Sequence, residues 1–214
     1  MTGTAPRAFR TLRDVGNAEL EIKRSRFLGL AAPARDEAHV QALLAEVRLA
    51  HPEASTHCFA YRLGRDGAQG RFSDGGEPGG TAGRPIMEVL IRDALVDVLV
   101  VVTRYFGGTL LGAGGLARAF SQTAATAVHA ATAVAMTPHT VLTITVAYGQ
   151  FGALEQALLA ADLHQNGAQY TDTVTISVPV PAGTEGELIA VVADLTGGAG
   201  TVLHGETVYL PERG

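Results

Sequence analysis

Val98-Leu99-Val100-Val101-Val102-Thr103-Arg104-Tyr105-Phe106-Gly107-Gly108 is the stretch on which the fold turns. Its opening block, apolar and mostly β-branched, reads as a central strand over 97–103 buried on both faces. A glycine-rich loop follows it, and 114–133 reads as a long small-residue helix able to pack closely on a sheet. Upstream, Pro85 sits where the first turn of a helix tolerates proline, opening a helix over 85–95. Thr56–Leu63 alternates, with Cys58 and Ala60 on one side and Phe59 and Tyr61 on the other. Residues 36–50 place Val40, Leu43, Leu44 and Val47 at helical i, i+3, i+4, i+7 spacing. Leu20–Lys23 and Arg26–Ala32 read as two strands.

Beyond the long helix, Met136-Thr137-Pro138 reads as a linker, because proline cannot continue the Ala-rich helix before it. The order expected after it is strand 139–147, helix 150–161, strands near 164–170 and 173–180, helix 184–196 and strand 200–209. That is the βαββαβ pattern of ferredoxin-like units. The reading is therefore α+β with two domains: an N-terminal arm (1–18), an N-terminal domain (19–135) and a ferredoxin-like C-terminal domain (136–214).

Composition narrows the function classes. With 47% hydrophobic residues, the 214-residue chain has the means to build a core without staples. A single cysteine, Cys58, rules out an internal disulfide and a Cys-rich metal site. No uninterrupted apolar stretch suggests a membrane span, and the first 15 residues lack the apolar core of a secretory signal. The expectation is a cytoplasmic protein with no membrane partner. Charge is divided: residues 1–135 carry 15 Lys and Arg against 13 acids, a net of +2, while residues 136–214 carry one Arg against eight, a net of −7. If phosphate is bound, the first part must do it. The acidic part would repel RNA, so it is expected to contact a protein partner or to shield the site.

Two glycine-rich stretches carry the chemistry. The first is Ser73-Asp74-Gly75-Gly76-Glu77-Pro78-Gly79-Gly80-Thr81-Ala82-Gly83-Arg84-Pro85. Gly75 and Gly80 have P-loop spacing, but Thr81 stands where the phosphate-reaching lysine is needed. The second, from Thr103 to Leu116, contains Gly107, Gly108, Gly112, Gly114 and Gly115. It is a poor dinucleotide fingerprint, because Ala117 takes the third glycine position and the strand lies eight residues away. Both stretches nevertheless present backbone N–H groups at a helix start, which favours an anion. Arg84, Arg104 and Arg118 add guanidinium forks that match phosphate oxygens. The plainer alternative has the glycines making tight turns and each arginine pairing with Asp74, Glu77 or Asp97.

Other candidates are weaker. The histidines show no metal-ligand spacing, and His57 and Cys58, adjacent on a strand, point to opposite faces. Cys58 reads as a core thiol. Neither Ser73 nor Ser121 sits in a nucleophile elbow. Asp74 and Glu77, three apart, suit paired-carboxylate or Mg²⁺ chemistry and suit turn capping equally. Lys23-Arg24-Ser25-Arg26 reads as charge protecting a strand edge.

Taken in order, Arg24-Ser25-Arg26-Phe27, Thr56-His57-Cys58-Phe59-Ala60-Tyr61, the Ser73–Pro85 block, Val101-Val102-Thr103-Arg104-Tyr105-Phe106-Gly107-Gly108 and Leu111-Gly112-Ala113-Gly114-Gly115-Leu116 with Arg118 resemble the YigZ/IMPACT family. The resemblance covers residues 20–130, and the second part is similar to the C-terminal domain of bacterial members in length and element order. It implies an N-terminal fold similar to ribosomal protein S5 domain 2 and a C-terminal fold similar to the last domain of translocation elongation factors. Both folds recur in proteins that touch RNA or the ribosome. Eukaryotic relatives regulate a translation-control kinase pathway but carry an additional N-terminal module, so that role is not carried over. Gly76 stands where many relatives have a second acid, and Gly79 where serine is common. Both changes weigh against enzyme chemistry.

The leading expectation is a regulator linked to translation that binds RNA or the ribosome. Its phosphate site would be a cleft built from Arg84, Arg104, Arg118, Gly107, Gly108, Gly114, Gly115, Thr81 and Tyr105, supported by Asp74, Glu77, His57 and Thr103, with no metal or cofactor. The rival is an enzyme acting on a small phosphorylated or acyl substrate, with Asp74, Glu77, His57 and Thr103 as its polar groups. A third reading is a purely structural module.

Overall fold

The computed structural model describes residues 6–212 and divides them into two units, 9–135 and 136–212, the latter taking in residues 6–8. Residues 1–5 of the expected arm, and Arg213, lie outside the described residues.

The first unit holds strands β1 (Phe9–Leu12), β2 (Gly16–Ile22) and β3 (Ser25–Pro33), helix α1 (Glu37–Ala50), strands β4 (Thr56–Leu63) and β5 (Gln69–Ser73), helix α2 (Gly83–Arg92), strand β6 (Val98–Tyr105) and helix α3 (Ala113–Ala130). Five of the strands form one antiparallel sheet in the order β2-β3-β6-β4-β5. As the apolar run implies, β6 is central and buried on both faces. Val98, Val100 and Val102 join Cys58, Ala60, Phe27 and Phe120 in the core beneath α2 and α3. Leu99 and Val101 face the other way, into a smaller core with Val40 and Leu44 of α1 and Tyr61 and Leu63 of β4. The alternation read in 56–63 is thus the division between two cores.

Small residues set the closest approaches. A Cβ at Gly29 would crowd the Thr123 carbonyl of α3, at 2.9 Å. Phe27 and Phe120 meet edge to face, 5.3 Å between centroids.

Several boundaries differ from the sequence reading, each for a local reason. The segment read as an arm contains β1, whose Arg10 carbonyl accepts the Val96 N–H at 2.9 Å. β5 has no counterpart among the expected strands; it is an edge strand with little apolar alternation to betray it. Helix α3 ends at Ala130, not 133, because Asp14 takes both the N–H (2.7 Å) and the hydroxyl (2.8 Å) of Thr132 and draws the chain out.

The second unit holds β7 (Ala133–Val146), whose first three residues belong to the first unit, α4 (Tyr148–Ala160), β8 (Ala168–Tyr170), β9 (Val174–Pro181), α5 (Glu185–Thr196) and β10 (Thr201–Pro211). Residues 136–138, expected as a linker, are strand. Pro138 pairs with Tyr209 and precedes the β9 ladder, which opens at His139 and Pro181, so its missing N–H is not needed there. Strand order is β10-β7-β9-β8, every pair antiparallel. Leu142, Ile144, Ile176 and Val178 on one sheet face pack with Leu154 and Leu158 of α4 and Leu188 and Val192 of α5. Among the described residues, no helix is long and apolar enough to cross a membrane.

Candidate phosphate-binding site

The site is built at one end of the first sheet, where β6 finishes, β4 starts and the β2–β3 hairpin turns. Register places Phe27 and Thr56 on either side of Arg104, so all three elements meet there. Ile22 pairs with Ser25, leaving Lys23 and Arg24 as a two-residue turn with φ of 48° and 66°. Turns of this kind favour Asn-Gly, because left-handed backbone costs an ordinary side chain about 1–2 kcal/mol. The hairpin then grips the second glycine loop. Arg24 Nη2 donates to Thr109 Oγ1 at 2.6 Å, and Ser25 Oγ accepts from Gly107 N–H at 3.1 Å. Only glycine fits at 107, where a Cβ would run into the Arg24 carbonyl.

The two glycine stretches, alike in sequence, differ in their anion chemistry. In the first, Asp74 fills the helix start itself: Oδ1 accepts from Ala82 N–H (2.9 Å) and Gly83 N–H (2.8 Å), and Oδ2 from Gly80 N–H (2.9 Å). Burial pushes the Asp74 carboxyl up, but the three N–H donors outweigh it and hold the group below its ordinary range. An external phosphate would have to displace a carboxylate already in place. Thr81 is buried, its hydroxyl turned to the Pro78 carbonyl at 2.6 Å.

In the second, α3 starts at Gly112 (φ 72°) with no side-chain cap, and the first bond back to it comes from Leu116 N–H at 2.9 Å. Open space lies in front of Gly108, Gly112 and Gly114, while Gly115 abuts Leu111. Arg118 is exposed one turn into the helix.

Arg104 does not reach solvent. Its side chain is 8% exposed and that of Glu77 5%; Nη1 donates to both Glu77 oxygens at 2.8 and 2.9 Å. Thr56 Oγ1 donates to the same carboxylate at 3.0 Å. The guanidinium lies over the rings of Phe27 and Phe106, 5.5 and 5.3 Å from their centroids. Here the plainer reading of an arginine paired with Glu77 describes the geometry, and the pair ties the first glycine loop to the sheet end. Arg84 is exposed on the first turn of α2 and pairs with Glu88 at 3.2 Å.

The remaining expected residues lie on the opposite sheet face, beside α1. His57 Nδ1 is 3.1 Å from Thr103 Oγ1, and Tyr105 Oη is 3.0 Å from His51 Nδ1. Burial, then the positive charge of Arg48, lowers the His57 pKa, which favours a neutral imidazole. A pocket of about 340 Å³ opens there, with Leu28, Leu30, Val47, His51 and Thr103 in its walls. The four polar groups of the enzyme reading are thus divided between two faces, Asp74 and Glu77 on one, His57 and Thr103 on the other. Cys58, whose thiol donates to the Asp74 carbonyl at 3.0 Å, is pushed up to about 12 by burial. Lys23, Arg24, Ser25 and Thr109 also stand at this sheet end and are not among the candidates read from the sequence. Their signal was a basic hairpin tip lacking the usual glycine.

Residues 23–128 match the Impact N-terminal domain, and residues 144–199 match a domain of unknown function, DUF1949. The IMPACT family member YigZ of Escherichia coli is 36% identical over 181 residues, 84% of this chain and 89% of that protein. The chain belongs to the IMPACT family. The IMPACT family member YvyE of Bacillus subtilis is 30% identical over 200 residues, 94% of this chain and 92% of that one. A family member from Thermus thermophilus is 38% identical over 178 residues, 83% of this chain and 96% of its own. A crystal structure of a hypothetical protein, 33% identical, superposes with a TM-score of 0.63 and covers 94% of this chain and 98% of its own. The Impact N-terminal match begins at Lys23, on the hairpin tip, and takes in both glycine loops.

Proposed function

We propose that this IMPACT-family protein is a translation-linked binding protein whose first unit takes the phosphate backbone of RNA, on the ribosome or free. Its contact surface would be the sheet end formed by Lys23, Arg24, the open start of α3 and Arg118. The fold assignments follow the same reading: an S5 domain 2-like first unit, and a ferredoxin-like second unit, supported by its βαββαβ order and fourth-first-third-second strand arrangement. The observation that carries the proposal is the hairpin tip. Two basic residues hold left-handed backbone where Asn-Gly would be cheaper, beside a helix start that no side chain of the described residues caps. Backbone strain retained in this way supports a functional role for the tip. The net +2 of residues 1–135 against the −7 of the remainder supports placing the contact on this unit.

The test is ribosome co-sedimentation across a salt series with the wild type, Lys23→Asn/Arg24→Gly and Arg118→Ala. The hairpin variant relieves the strained turn but gives up the Arg24–Thr109 hydrogen bond, so its folding is verified by thermal melting, and it should lose pelleting at lower salt. Removing two phosphate contacts should reduce the slope of log K against log salt by about 1.4–1.8. Wild type that stays in the supernatant at every salt, or hairpin variants that pellet like wild type, would refute the proposal.

A further inference from the structure

We infer that the second unit carries a docking site for an arginine-rich protein segment, centred on the exposed rings of Tyr148 and Tyr170. This goes beyond the reading above, lies on the other unit and stands or falls separately from it.

Tyr148 opens α4 and Tyr170 ends the edge strand β8, and both stay more than half exposed, at 53% and 59%. They are held, not loose. The rings stack at 6.4 Å with 27° between planes, Phe151 meets Tyr170 edge-on at 6.0 Å, and Tyr148 Oη donates to the Thr171 carbonyl at 2.7 Å. A pair of large rings fixed at the surface presents π faces at little cost in side-chain entropy.

The surroundings decide what those faces take. Residues 136–214 contain no lysine and a single arginine, Arg213, against eight acids. Asp172 follows in the turn between β8 and β9. An aromatic platform for single-stranded nucleic acid needs a basic groove to follow the phosphates, and this unit would repel them. A cation is attracted both by the ring faces and by the net charge of −7. Arginine fits better than lysine, because its planar guanidinium stacks on a ring while its N–H groups still reach carboxylates and carbonyls.

The test uses the full chain and three fluorescein-labelled probes: a 12-residue Arg/Gly peptide, the matching Lys/Gly peptide and a 12-nucleotide oligouridine, followed by anisotropy at low salt. The Arg/Gly peptide should bind more tightly than the Lys/Gly peptide. Tyr148→Ala and Tyr170→Ala should each weaken it about threefold, and the double variant about tenfold, while Tyr170→Phe keeps the affinity. Lys23→Asn/Arg24→Gly should leave peptide binding unchanged, which separates this site from the phosphate surface. With folding verified by thermal melting, unchanged peptide affinity in the double Tyr→Ala variant overturns the inference. So does equal affinity for the two peptides, or oligouridine binding that depends on these tyrosines.

Discussion

Removing the carboxylate of Glu77 should be among the most damaging single changes available to the first unit. Arg104 and Glu77 are both more than nine-tenths buried as side chains and lie 2.8 Å apart, so neither charge has water to fall back on. In Glu77→Ala the guanidinium keeps only Ser25 Oγ, at 3.4 Å, and its two flanking rings. Leaving one member of a buried pair uncompensated costs about 3–5 kcal/mol. For residues 9–135 the unfolding entropy is about 0.27 kcal/mol/K, so each kcal/mol moves the midpoint by about 4 °C. The expected fall is therefore about 11–19 °C in the transition of that unit, read by calorimetry, with the transition of residues 136–212 as the internal control. Replacing both partners by apolar residues, Glu77→Leu/Arg104→Met, removes the stranded charge and should recover most of the loss. If Glu77→Ala costs less than about 1 kcal/mol, as an exposed ion pair would, the reasoning from a buried pair is wrong. It is equally wrong if the double variant is as unstable as the sum of the single ones.

Further outcomes follow from the same geometry. Gly107→Ala should prevent stable folding of the first unit, because its Cβ meets the Arg24 carbonyl; Gly114→Ala, with open space around it, should be neutral or stabilising by about 0.5–1 kcal/mol, and comparable melting of the two variants would contradict the packing described. Asp74 has a folded pKa below its ordinary 3.8, so its stabilising contribution is present above that value and is lost as pH falls through the folded one. The urea midpoint difference between wild type and Asp74→Asn should accordingly shrink on acidification, and a difference independent of pH would count against the three-donor cradle. Cys58, buried with its thiol pushed up to about 12, should react with a thiol reagent at neutral pH only as fast as the unit opens; prompt labelling of the native protein would show the core to be otherwise.

The core of the fold was legible because its signals are periodic. The unbroken apolar run at 98–102 could only be a strand covered on both faces, and the alternation at 56–63 sorted its residues between two cores. What escaped was what periodicity does not record. Phe9–Leu12 is too short for a pattern, and Gln69–Ser73 is an edge strand with few apolar residues to alternate. The end of α3 was misjudged because the Ala-rich sequence past 130 has ample helix propensity. Asp14, 118 positions away, overrides it through two hydrogen bonds to Thr132.

The two glycine stretches mark where sequence reasoning about the site stops. Each offers glycines, an arginine and a helix start, so each invites the same anion. Whether the anion must come from outside depends on whether the chain supplies its own, and that is a matter of reach. Asp74 lies six to nine residues before the N–H groups it accepts from, and a loop of that length can fold back on the helix start. Before α3 the corresponding segment, 103–111, has no acidic residue, and its polar groups turn to the hairpin and to Ser55 instead. That difference is readable in the letters once the physical question is asked. An uncapped helix start preceded by a segment without Asp or Glu leaves its N–H groups without a side-chain acceptor, and the hairpin that packs on the loop before it comes from some 80 residues upstream.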